Sequence, residues 1–361
     1  MLSQKSKILD FEAVTGGKAG QSNVDYFYNF YINNFKPLRS PYIDVRKLVV
    51  KGDFKRLQDV IFNTYKIRSL EFGNWVNQVR RIDFLLSLIV ALFDFNKVLK
   101  FTNNNIGVNK TLNIAFGARG VPSAFAHYEP GTKVINLSRD KRVDKYAEQQ
   151  ELYVNYVDDK KEYKKLAAQL REEASGYGSF AHEYGHFLDY IIAEKYIPKR
   201  AIALSGGRNR LYSYSNAKKA HDNFELSIGF NKFSSKIEMD VYNILCKLLF
   251  NVTYLKDKKT ITKVSVTGYY KRLYDFAAKR GDYWIRFNEI WARLFEIFVA
   301  YKLNKIGIVN KFLVKEGKGK YRDELGNVFY RAVYPTFGEV QKLIPDFNKF
   351  LDNTNILINK R

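Results

Sequence analysis

His182 and His186 stand four residues apart, with Glu183 between them, in the run Ser179-Phe180-Ala181-His182-Glu183-Tyr184-Gly185-His186-Phe187-Leu188-Asp189. On a helix that spacing is one turn, so both imidazoles leave the same face and can share one tetrahedral Zn²⁺. The intervening carboxylate is then placed to take a proton from a water that the ion activates. The chain has four histidines and 17 glutamates in 361 residues. Chance would produce the pattern in such a chain on the order of once in several hundred. The spacing is signal.

A catalytic zinc site needs a third protein ligand and an open position. Glu289 is the first candidate, in Asn288-Glu289-Ile290-Trp291-Ala292-Arg293-Leu294-Phe295-Glu296. Ala292, one helical turn on, shares its side, and a small residue there lets that helix come close to the motif helix. Glu296 lies on the same side and is the alternative metal ligand. Asp189, one turn after His186, reads as a group that orients a ligand or a neighbouring hairpin.

These residues need a frame. Phe180, Tyr184, Phe187, Leu188 and Ile191 form an apolar stripe at helical spacing, with His182, Glu183, His186 and Asp189 largely off it. The pattern predicts a helix buried along one face and polar along the other, with Ser179 as its N-cap. Three strand-like runs precede it: Thr111 to Phe116, which alternates, then Ser123 to Tyr128 and Lys133 to Leu137. The last two are joined by Glu129-Pro130-Gly131-Thr132, a type II turn signature that predicts a hairpin. A helix is expected over roughly 77–95. Its apolar run Phe84 to Phe93 is too short to span a bilayer. Residues 139–174 read as a charged, solvated helix, Ser205 to Asn209 as a loop, and Phe224 to Phe250 as helical in part.

At 42.2 kDa, with 46% hydrophobic and 16% aromatic residues, the chain can bury a sizeable core. Its single cysteine, Cys246, excludes an internal disulfide framework and suits a reducing compartment. The N-terminus has no signal-peptide core, so no secretion by that route is expected. The net charge is +23, and residues 194–280 hold 18 Lys/Arg against 7 Asp/Glu. Such an excess suits non-specific contact with nucleic acid. It also suits a chain rich throughout in Lys, Asn, Tyr and Phe.

Several further motifs accompany the histidine pair in a fixed order. Before it come Glu71-Phe72-Gly73-Asn74-Trp75-Val76, Ala115-Phe116-Gly117-Ala118-Arg119-Gly120, Ala126-His127-Tyr128-Glu129-Pro130 and Val134-Ile135-Asn136-Leu137-Ser138. After it come the Glu289 to Glu296 run and Tyr334-Pro335-Thr336-Phe337-Gly338-Glu339. Together, over roughly residues 66–350, they resemble the zincin-like metallopeptidase domain of phage and mobile-element polyvalent proteins, the large polyvalent protein-associated domain of type 1. The resemblance implies an α+β, zincin-like fold, mostly helical, with a small mixed sheet and an edge hairpin. It implies an N-terminal extension over 1–65 and a zincin-like domain over 66–361, with a charged insertion at 139–174 and a basic one at about 194–285. It implies peptide-bond hydrolysis, with Zn²⁺ on His182, His186 and Glu289 and Glu183 as general base. His127, Arg119 or Tyr334 would stabilise the oxyanion, and hairpin 123–137 would pair with an extended protein or peptide substrate. The implied setting is a virion or the cytoplasm of a bacterial host. The rival expectation is a virion-packaged structural or nucleic-acid-associated protein that keeps the zincin core as a scaffold.

Overall fold

The computed structural model describes residues 59–73, 78–118, 126–137, 178–197, 203–255, 261–308, 310, 312–314 and 332–360. The charged insertion 139–174, Arg119 and most of the extension 1–65 lie outside them. Within that extension Asp59–Thr64 form a π-helical turn. The described residues divide into two compact units, and the division falls inside the motif helix, between Glu183 and Tyr184.

The first unit carries a four-stranded mixed sheet. Its strands are β1 (Ser69–Phe72), β2 (Asn113–Phe116), β3 (Ala126–Glu129) and β4 (Val134–Leu137). They lie in the order β1-β2-β4-β3, with β1, β2 and β4 parallel and β3 antiparallel on an edge. The expected edge hairpin is present, but its turn differs. Glu129 pairs with Val134, which leaves four loop residues. The left-handed position is Lys133, at φ 54°, and Gly131 does not occupy it. A type II turn would need Gly131 there; a four-residue loop closes through its last residue instead. Thr132 Oγ1 donates to Glu129 Oε2 at 2.7 Å and helps hold the loop.

The alternation expected of Thr111 to Phe116 also gives way. Every residue of β2 and β4 is buried, because central parallel strands are covered on both faces. Helix α1 (Gln78–Leu99) supplies part of that unit's core through Leu88, Leu92 and Phe95.

The motif helix α2 (Phe180–Tyr196) begins in this unit. Phe180 packs against Phe95 and Phe312, with ring centroids 6.0 and 5.8 Å away. The Ala181 N–H, one of the first-turn donors that a helix cannot satisfy internally, donates to the Leu313 carbonyl at 3.0 Å. Asn310 fixes that segment: its Oδ1 accepts from the Phe312 and Leu313 N–H groups, and its Nδ2 donates to buried Asp94 on α1. Burial raises the Asp94 pKa, against the Asn310 bond and the Lys97 charge.

The second unit is helical, apart from a hairpin of β5 (Phe250–Tyr254) and β6 (Ile261–Val266). Its helices are α3 (Ala217–Ile228), α4 (Lys236–Leu249), α5 (Gly268–Arg280), α6 (Phe287–Lys305), α7 (Phe337–Gln341) and α8 (Ile344–Asn359). Trp291 anchors the core, 5.8 Å from Phe347 and 5.1 Å from Phe350, while Phe298 stacks on Phe347 at 4.3 Å. The rest of α2 packs against α6. The motif helix is therefore buried almost all round, not along one face as its apolar stripe predicts. Glu183, His186 and Asp189 are buried along with Phe180, Tyr184 and Phe187.

Candidate metal centre

The approach of α2 to α6 depends on Gly185, inside the histidine motif. A Cβ built there would lie 3.1 Å from Phe295 Cβ and 3.2 Å from Ala292 Cα. Ala292 is the small residue the sequence marked, and Gly185 is its unremarked counterpart. The Trp291 indole N–H donates to the Gly185 carbonyl at 3.1 Å and fixes the register of the two helices. Gly185→Ala would gain about 1 kcal/mol of helix propensity, but overpacking such a contact costs about 1–3 kcal/mol. The opposing atoms are a backbone Cα and a Cβ, which no rotamer change moves. We therefore expect a lower thermal midpoint and weaker zinc uptake; an unchanged or higher midpoint would show that α6 can give way.

That close approach brings Glu289 to the histidine pair. His182, His186 and Glu289 each offer one ligand atom, and all three atoms lie within 4.8 Å of one another. His182 and His186 belong to one continuous helix, so their spacing is that of a single turn. His186 Nε2 stands 3.5 Å from Glu289 Oε1. Two ligands at 2.0–2.1 Å on a tetrahedral ion are about 3.3 Å apart, close to the spacing of this pair. His186 and Glu289 are buried, and His182 is partly exposed. Glu296 is buried but is not part of the group.

Three of the remaining sequence candidates lie among the described residues. The buried Asp189 carboxylate accepts from the Ser205 N–H at 2.7 Å and from Ser205 Oγ at 2.6 Å. It thereby anchors the loop after the motif helix. His127 sits on edge strand β3, with Nε2 3.1 Å from Glu129 Oε1. Tyr334 is half-buried in the bend before α7. Arg119 lies outside the described residues.

Sequence reasoning missed Tyr190, which follows His182 and His186 at the same four-residue interval and is half-buried. Its hydroxyl accepts from Asn288 Nδ2 at 3.5 Å, next to Glu289. Burial raises the hydroxyl pKa, as do the carboxylates of Asp189 and Glu289, while the Arg208 guanidinium and the Asn288 bond act the other way. The i, i+4, i+8 repeat was the available signal.

A second group of ligating residue types, His221, Asp222 and Glu225, is closed by protein partners. Lys218 pairs with Asp222, and the Tyr242 hydroxyl donates to Glu225 at 2.7 Å. Cys246 Sγ is 3.7 Å from His221 Nε2, and burial pushes the thiol up to about 11, which keeps it protonated.

Residues 276–355 match the family model of the large polyvalent protein-associated domain 1. The match takes in Glu289, Glu296 and Tyr334 and stops short of the histidine pair. No curated protein and no solved structure matches the chain. Among the described residues no helix is long and apolar enough to cross a membrane.

Proposed function

We propose that this protein is a zinc-dependent metallopeptidase with a zincin-like fold, from a phage or related mobile element. The observation that carries the reading is the convergence of His182, His186 and Glu289, with Glu183 next to the first of them on the same helix. Two imidazoles and one carboxylate make a three-donor set that leaves a tetrahedral position open. Bound there, zinc would polarise a scissile carbonyl and lower the pKa of a water in the open position. Glu183 takes the proton from the attacking water and returns it to the leaving amine. By β-augmentation an extended peptide would align along β3, the edge strand of the described sheet. Such a peptidase would act in the virion or in the host cytoplasm.

The test is cleavage of unfolded protein by the purified full chain, followed by mass spectrometry. Chelator should abolish cleavage and added zinc restore it. A protein that neither carries nor takes up a stoichiometric transition metal would defeat the reading.

The basic excess favours a second role in holding nucleic acid, as a packaged protein would. Several of its cations, Arg210, Lys218, Lys247 and Arg272, are already ion-paired within the protein. Binding to DNA of arbitrary sequence should fall steeply as salt rises. Binding absent at low salt would remove this role.

A further inference from the structure

The loop that Asp189 anchors through Ser205 runs back along the lead-in to the Glu289 helix. The Leu211 N–H donates to the Ile285 carbonyl at 3.0 Å, the Phe287 N–H to the Asn209 carbonyl at 2.8 Å, and the Asn288 N–H to the Gly207 carbonyl at 2.9 Å. Arg210 and Arg286 form a bridge in the same ladder. Both neighbours of Arg208 are therefore bonded to the two residues that precede Glu289. At its other end the loop is tied to the motif helix by two bonds to Asp189.

Three arginines lie on this ladder, and their partners differ. Arg210 pairs with Asp282, and Arg286 lies over the Tyr283 ring at 5.7 Å. Arg208 is exposed, and no hydrogen bond or ion pair engages it among the described residues. Its charge reaches the Tyr190 hydroxyl, which also senses Glu289. A backbone fixed on both sides thus holds an uncommitted guanidinium on the loop bonded to the two residues that precede Glu289.

We propose that Arg208 is a carboxylate-binding subsite, and that preferred substrates are peptides carrying a carboxylate close to the bond cleaved. This rests on the peptidase reading. The planar guanidinium fork matches a carboxylate in bidentate fashion. Two sources present that chemistry: a peptide's own C-terminus and an Asp or Glu side chain.

The experiment compares wild type with Arg208→Gln and Arg208→Lys on matched peptides. One set has a free or amidated C-terminus; the other has Glu or Gln within two residues of the cleaved bond. Wild type should prefer the carboxylate member of at least one pair. Arg208→Gln should lower kcat/KM for that member by roughly 10–100-fold and by less for its neutral counterpart. Arg208→Lys should keep part of the preference. Which set responds distinguishes a C-terminal from an acidic side-chain substrate. Cleavage by wild type with no preference in either set, or a preference that survives in Arg208→Gln, would overturn the subsite alone. A wild-type protein that cleaves neither set would overturn the peptidase reading and this subsite with it.

Discussion

Glu183→Gln is expected to leave zinc bound at wild-type stoichiometry while peptide hydrolysis falls by roughly 10²–10⁴-fold, the range ascribed to a positioned general base. Glu183 is 6% exposed, so the substitute must fit a packed site, and glutamine keeps its size and shape. The change removes only the capacity to take a proton. Glu183 lies on the same helix as both histidines but is absent from the group of converging ligand atoms, so metal affinity should not follow activity down. Metal analysis beside a cleavage assay separates the two. A variant that hydrolyses at the wild-type rate would place the base elsewhere. A wild-type protein that binds zinc yet cleaves nothing would favour a zincin core kept as a scaffold.

The histidine pair was legible because its geometry is local: one helical turn sets it, and the sequence states the turn. The hairpin was legible for a similar reason, since Pro130 and Gly131 mark a reversal between two apolar runs. Its detailed form was not, because the choice between Gly131 and Lys133 as the left-handed residue depends on the pairing of Glu129 with Val134. Strand β1 was missed altogether. Four residues carry little pattern, and Ser69–Phe72 is a strand because it pairs with β2, more than forty residues later. The ends of the Phe224 to Phe250 region could have been read more closely. Glu238 accepts from the Ser234 and Ser235 N–H groups, a start signal of the S-x-x-E kind, and Gly229 closes α3 in the left-handed region. The all-round burial of α2 was not readable from its own residues. It arises because Phe95 and Phe312 cover its start while Ala292 and Phe295 meet it at Gly185.

The choice between Glu289 and Glu296 could not be made from their spacing, because both lie on one side of a helix. The distances separate them, and so should metal binding. Glu289→Ala, like His182→Ala or His186→Ala, removes one of three donors from a site with none to spare. Its loss of zinc affinity should exceed the roughly 10–100-fold seen when only a group behind a ligand is changed. Glu296→Ala should keep stoichiometric zinc, although emptying a position that is 2% exposed will cost stability. Stability must therefore be separated from binding, and zinc itself does this. A ligand that binds only the folded state raises the unfolding midpoint in proportion to the logarithm of its excess over Kd. The rise on adding zinc should vanish in Glu289→Ala and persist in Glu296→Ala, whatever their starting midpoints. Glu289→Gln, which opens no cavity, should also lose most of the rise, since a neutral amide oxygen is a poor substitute for a carboxylate on zinc. The opposite pattern, with zinc lost from Glu296→Ala and kept by Glu289→Ala, would require α6 to turn a different part of its surface toward the motif helix. The contacts of Gly185 with Ala292 and Phe295 and the Trp291 bond to its carbonyl oppose such a turn.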